Sequence, residues 1–214
     1  MMEKRDFKQK VYQEVGNLAK ALSNAGRMEI VDLLANGAKN VEEIANQTAM
    51  SVANASQHLQ TLKKERLVIP HRRGNQIYYS LASEEVYGVF ASLRQLTLHQ
   101  SPFLRQTLDG YREGKGFDEP LSREEIPHED VLFLDVRPRE EYQKGHLKNS
   151  LSLPLEELND RLNELPKNKL MIAYCRGMFC TMADEAVKIL LQKGFRAKKM
   201  EEGYMDVHLE QLEN

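Results

Sequence analysis

Cysteine is scarce in this chain: Cys175 and Cys180 are the only two in 214 residues. A tetrahedral zinc site needs about four ligands, and nothing nearby in the sequence supplies the other two. No window approaches the roughly 18 consecutive apolar residues of a membrane-spanning helix. The N-terminus, Met1-Met2-Glu3-Lys4-Arg5-Asp6, leads straight into charged residues without the apolar core of a signal segment, so the expected compartment is the cytoplasm. A structural disulfide is disfavoured in that compartment. Internal repeats and low-complexity tracts are also missing. What is present is an ordinary globular composition, 41% hydrophobic and 29% charged, over a length that suits one large domain or two of usual size.

The two cysteines lie five positions apart in Tyr174-Cys175-Arg176-Gly177-Met178-Phe179-Cys180-Thr181. An apolar run, Leu170 to Tyr174, enters this stretch, and Met182, Ala183, Ala186, Val187, Leu190 and Leu191 leave it at helical spacing. A strand, a tight loop and a helix start thus meet at a thiol. Loop amides and the positive end of a helix dipole form an anion cradle, which is expected to lower the Cys175 pKa below the free value of about 8.5. The alternative is that both cysteines are small buried hydrophobes.

The formal net charge of −2 conceals an asymmetry. Residues 1–115 hold 16 Lys+Arg against 12 Asp+Glu, a net +4, and residues 116–214 hold 14 against 20, a net −6. Lys63, Lys64, Arg66, Arg72 and Arg73, against Glu65 alone, account for the basic excess. These charges fall on elements that suit DNA. Helices are expected at about 6–23, 26–35 and 41–47, followed by one at about 51–65 capped by Ser51. On that last helix Ala55, Leu59 and Leu62 form an apolar stripe, with Asn54, Gln57, His58 and Thr61 on the opposite face. Strands at 67–69 and 76–81 flank His71-Arg72-Arg73-Gly74-Asn75, a hairpin signal. Two short helices with a polar outer face, then a basic hairpin, fit a winged helix-turn-helix.

Ser56-Gln57-His58-Leu59-Gln60-Thr61-Leu62, then Leu67-Val68 and Arg72 to Tyr79, resemble the ArsR family of winged-helix repressors over about residues 15–82. The resemblance implies a homodimer on double-stranded operator DNA with an inverted repeat, its interface formed by helices 6–23 and about 83–100. Gln57 and Asn54 suit bidentate base contact. Lys63, Lys64, Arg72 and Arg73 suit phosphate, and Ser56, His58, Thr61 and Asn75 complete the expected DNA-binding set. Metal-sensing members carry cysteines on or near the helix at 41–47, where this chain has none, and His99 stands without a matching set. No metal and no cofactor are therefore expected.

Pro102 interrupts the helix, and Phe103, Leu104, Leu108 and Tyr111 fit its continuation; Gly110, Gly114 and Gly116 with Asp118-Glu119-Pro120 then read as a linker. The expected domains are 1–115 and 116–214. Strands at 131–135, 150–153, 170–174 and 197–200 alternate with a short helix holding Glu140, Glu141 and Tyr142 and with helices at about 155–165 and up to about 193, which implies an α/β layer with a mostly parallel sheet. Sites in such sheets sit at the carboxyl ends of strands. Leu134-Asp135-Val136-Arg137, Glu141-Tyr142, Gly145-His146-Leu147 with Ser150, Tyr174-Cys175-Arg176-Gly177 and Glu202-Gly203-Tyr204 resemble the rhodanese domain over roughly 118–210.

That resemblance implies a Cys175 persulfide cradled by the amides of Arg176 through Thr181, with Gly177 in the loop and with Asp135 and Arg137 as scaffold. The related phosphatases and arsenate reductases have a longer loop closed by arginine, where this chain has Thr181. Many rhodaneses carry Arg or Lys five positions after the nucleophile, and here that position is Cys180, a resolving thiol. The whole chain is expected to pair a mostly α DNA-binding domain bearing a β-wing with an α/β domain. It reads as a regulator that senses a sulfane-sulfur small molecule, without membrane attachment. A sulfurtransferase tethered to DNA, and a chemically inert dimerisation module, are the other readings.

Overall fold

The fold is described by a computed structural model over residues 3–213. In chain order the elements are α1 (Lys4–Leu22), α2 (Ala25–Ala35), β1 (Lys39–Asn40), α3 (Val41–Gln47), α4 (Val52–Lys64), β2 (Val68–Arg73), β3 (Gln76–Leu81) and α5 (Glu84–Gln100). They continue as α6 (Pro102–Lys115), β4 (Val131–Asp135), α7 (Arg139–Lys144), β5 (Leu151–Ser152), β6 (Leu170–Tyr174), α8 (Met182–Gln192), β7 (Arg196–Lys199) and α9 (Tyr204–Glu213). Two units divide the chain, one ending at Ser92 and the other beginning at Leu93.

In the first unit, local side-chain caps define the helix starts. Asn24 accepts from the Arg27 amide at 3.2 Å to open α2. Asn40 and Glu43 form a reciprocal capping box on α3, at 2.9 and 2.7 Å. Ser51 accepts from the Asn54 amide at 3.2 Å to open α4. Ile30, Val31, Ile44, Ala55, Leu59 and Leu62 from these helices are buried, as are Leu67 and Tyr87. The antiparallel sheet runs β1-β3-β2. Arg73 pairs with Gln76, so Gly74-Asn75 is a two-residue hairpin, and Gly74 takes the positive φ of +60° that favours glycine. The strand expected at 67–69 therefore runs on to Arg73. Its charged end lies on an exposed edge, where polar side chains leave the backbone ladder intact.

The second unit has a parallel sheet in the order β5-β4-β6-β7. Successive residues of β6 feed two cores. Met171 and Ala173 pack with Leu134, Leu158, Ala186 and Leu190, whereas Ile172 and Tyr174 pack with Ile126, Met200 and Val207. A strand buried on both faces reads as a continuous apolar run, which is why β6 is legible. Pro102 interrupts the helix as expected, between α5 and α6, and it opens α6 because Ser101 accepts from the Leu104 amide at 3.2 Å and proline suits the first turn. Two sequence expectations change. Gly110 and Gly114 lie inside α6, and Gly116, at φ +66°, ends it. The helix expected at about 155–165 is replaced by two 3-10 turns, Leu155–Glu157 and Leu162–Glu164. Asn159-Asp160, in the middle of that segment, favours a turn over a helix interior.

Candidate functional site

The carboxyl ends of the parallel strands converge on the cysteine loop, which connects β6 to α8. Cys175 follows β6 and is 1% exposed, whereas Cys180 is half-buried. The Cys175 thiol donates towards the Cys180 carbonyl at 3.5 Å and the Gly177 carbonyl at 3.9 Å. The turn is closed by the Cys180 amide donating to the Gly177 carbonyl at 3.0 Å. Gly177 has φ +132°, and a Cβ there would stand 3.1 Å from Asp206 Oδ2 and 3.6 Å from an Arg94 guanidinium nitrogen, so both conformation and space require glycine.

Two ion pairs brace this loop and the neighbouring strand end. Arg176 donates to Glu141 of α7 in a fork, Nε to Oε2 at 3.0 Å and Nη2 to Oε1 at 2.6 Å. Asp135 and Arg137 are both fully buried and pair in the same way, at 2.9 and 2.6 Å. Arg137 also donates to the Gly145 carbonyl at 2.8 Å, so the pair ties the end of β4 to the end of α7 and does not reach the thiols. Tyr174 receives the Leu147 amide at 3.1 Å and lies 2.9 Å from the Ser150 hydroxyl. Burial first, and then the Asp135 carboxylate, push its phenol pKa up. Thr181 starts α8 and turns its hydroxyl to Glu185, 3.3 Å away.

The charge distribution differs from the sequence expectation. Burial is the main force on Cys175 and raises its pKa, and the neighbouring Cys180 raises it further. Cys180 is brought down to about 6 by the hydrogen bond from the Cys175 thiol, against its own desolvation, with help from the Met182 and Arg176 amides and the Arg176 charge. The loop amides therefore favour the thiolate form at Cys180, while burial disfavours it at Cys175. The two thiols titrate as a unit. The expected lowering of the Cys175 pKa is thus replaced by a lowering at its partner.

In the first unit, Asn54, Gln57, Lys63 and Lys64 of α4 are exposed, as are Arg72, Arg73 and Asn75 of the wing. Ser56 and Thr61 are half-buried, and Thr61 back-bonds to the Gln57 carbonyl at 3.1 Å. His58 packs towards α2: a Cβ on Gly26 would lie 3.0 Å from its Nε2. Burial first, then Arg27, lower the His58 pKa, so the neutral ring prevails there. Arg72 Nε donates to the Gly74 carbonyl at 3.2 Å, and Arg73 stacks 5.0 Å above the Tyr78 ring. Among the described residues no group of three or more His, Cys, Asp or Glu side chains is placed to hold a metal ion, and no helix is long and apolar enough to cross a membrane.

Sequence reasoning missed Lys199 and Asp184, which form a buried ion pair beside the loop at 2.6 Å. It also missed the Arg94–Asp206 pair that abuts Gly177. Each partner looks like a surface charge in its own segment, and only the fold joins them.

Residues 121–210 match the model of the rhodanese-like domain, and residues 24–69 match that of the bacterial regulatory protein, arsR family. The chain is 36% identical to the HTH-type transcriptional regulator Rv0324 of Mycobacterium tuberculosis, over 98% of this chain and 93% of that one. Its second half is 32% identical to a sulfurtransferase of Allochromatium vinosum, over 36% of this chain and 70% of that one. Its first half is 39% identical to the transcriptional repressor SdpR of Bacillus subtilis, over 31% and 74% of the respective chains.

Proposed function

Because the chain belongs to the ArsR family of helix-turn-helix transcriptional regulators and carries a C-terminal rhodanese domain, we propose that it is a cytoplasmic, homodimeric repressor that senses sulfane sulfur through Cys175 and Cys180. The observation that carries this reading is the thiol pair itself: two free cysteines on one loop, Cys175 buried and Cys180 half-buried, with the Cys180 pKa drawn down and the Cys175 pKa pushed up by their surroundings. Such a pair is built to react with a persulfide or polysulfide and then close on itself.

The steps balance without an added oxidant. The Cys180 thiolate attacks the outer sulfur of a persulfide R–S–SH, that S–S bond breaks, and RS⁻ leaves. The leaving thiolate takes the proton of Cys175. Cys175 then attacks the inner sulfur of the Cys180 persulfide, releasing HS⁻ and forming a Cys175–Cys180 disulfide. Cys180 is half-buried where Cys175 is 1% exposed, and that contrast supports this order, the reverse of the order that the resemblance implies.

On the DNA side, exposed Asn54 and Gln57 suit base edges in the major groove, and Lys63, Lys64, Arg72 and Arg73 suit phosphates. Dimerisation is supported by the apolar faces of α1 and α5. Phe7, Val11, Val15 and Leu18 are 54, 45, 61 and 40% exposed in the single chain, and Val89, Leu93 and Leu96 are 50, 39 and 55% exposed.

A mobility shift on operator DNA tests the proposal, with reduced and polysulfide-treated protein beside Cys175→Ser and Cys180→Ser. Treatment should change the wild-type shift and leave both variants at their reduced position. Identical shifts in every lane would remove the sensor. The rhodanese match also favours an active sulfurtransferase. In that case the persulfide passes to an external thiol with repeated turnover, and DNA affinity does not respond.

A further inference from the structure

The position five residues after Cys175 is Cys180, so the loop lacks a cation at that place. The fold brings one from a different strand. Lys199 closes β7, and its side chain is 3% exposed. Its ammonium donates to Asp184 Oδ2, in the first turn of α8, at 2.6 Å and to the Cys180 carbonyl at 3.0 Å. The same carbonyl accepts the Cys175 thiol at 3.5 Å. A single oxygen thus joins a buried ammonium to a buried thiol.

Stability alone gives little reason for this arrangement, since a buried ion pair is often no better than apolar residues of similar volume. The geometry points to Lys199 as a positioning residue that fixes the Cys180 carbonyl and supplies the positive charge facing a thiolate or persulfide anion of the sulfur pair. This rests on the reading of Cys175 and Cys180 as the reacting groups. In a desolvated site an ammonium acts over several ångströms with much less screening than in water. Lys199 accordingly draws the Cys175 thiol down, against the burial that raises it. Asp184, bound to the same ammonium, opposes that effect. The two members of the pair should therefore push the thiols in opposite directions, which a pair too far from the sulfurs to act on them would not do.

Asp184 Oδ1 has no hydrogen-bond partner among the described residues, and the amide of Asp184→Asn matches the carboxylate in size, so the substitution breaks no bond at that atom. Lys199→Met alone would strand the buried carboxylate, so the uncharged variant is made as the double substitution. The measurement is the rate of iodoacetamide alkylation of the reduced full chain against pH, with each cysteine quantified by peptide mass spectrometry. Asp184→Asn should move the thiol midpoints down by about one pH unit, and Asp184→Asn/Lys199→Met should sit at least about one unit above that single variant. Lys199→Arg should keep the wild-type midpoint.

Coincident midpoints for Asp184→Asn and the double variant overturn the proposal, as does a Lys199→Arg profile displaced with the uncharged one. Neither result touches sulfur capture by the pair. Conversely, a wild type that captures no sulfur but shows the expected midpoints would overturn only the sensing role.

Discussion

Replacing Cys175 by alanine isolates what that buried thiol does for its neighbour. In the folded chain the Cys175 hydrogen bond is the largest influence holding Cys180 at about 6. A hydrogen bond to a charged acceptor is worth about 1.5–3 kcal/mol, which corresponds to roughly one to two pKa units. Cys175→Ala should therefore bring Cys180 to about 7–8, reducing its thiolate at pH 7 from about nine-tenths to between one-half and one-tenth. Alkylation against pH, read at the Cys180 peptide, gives the midpoint directly. An unchanged midpoint near 6 in the variant would refute the reasoning, and so would a wild-type Cys180 that titrates like a free thiol. The same shift sets a stability profile. A thiol whose folded pKa is depressed stabilises the fold above its unfolded value and loses that contribution as pH falls. For Cys180 the loss runs from about 9 down to about 6. The raised Cys175 acts oppositely and weakens the fold once pH climbs past the unfolded thiol value. The thermal midpoint should thus fall on acidification through that window.

Arg137→Met leaves the fully buried Asp135 carboxylate without its fork. It should destabilise the second unit by about 3–5 kcal/mol in urea unfolding, and a loss under about 1 kcal/mol would show that the pair is not part of the scaffold. Arg72→Ala and Arg73→Ala should each weaken operator binding and lower the slope of log affinity against log salt by about 0.9. A change confined to sequence preference would place these arginines on base edges instead.

Much of this was legible because it is local. Ser51, Asn40 with Glu43, and Gly74-Asn75 each act on backbone within three residues, so they set the helix starts and the wing turn before any tertiary contact forms. Met171 to Tyr174 face two cores, and a continuous apolar run states that directly. The segment 155–165 misled because an apolar pattern of that length fits a helix as well as a pair of tight turns, and Asn159-Asp160 in its middle suits the turns. Val11 and Val15 show helical spacing yet stay exposed in the single chain, since periodicity tells which residues share a face but not what covers it.

The sequence by itself determined a winged helix-turn-helix, a parallel α/β sheet and two thiols on one loop, because each is written in spacing and turn chemistry over a few residues. Only the tertiary structure decided how their surroundings divide the two thiols. That division depends on a 1% exposed Cys175 and on amides from both ends of the loop reaching Cys180, while Lys199, arriving from β7 to share the Cys180 carbonyl, acts against the burial of Cys175. Desolvation and charge act through space, and their sum is fixed only when distant segments pack around the same atoms.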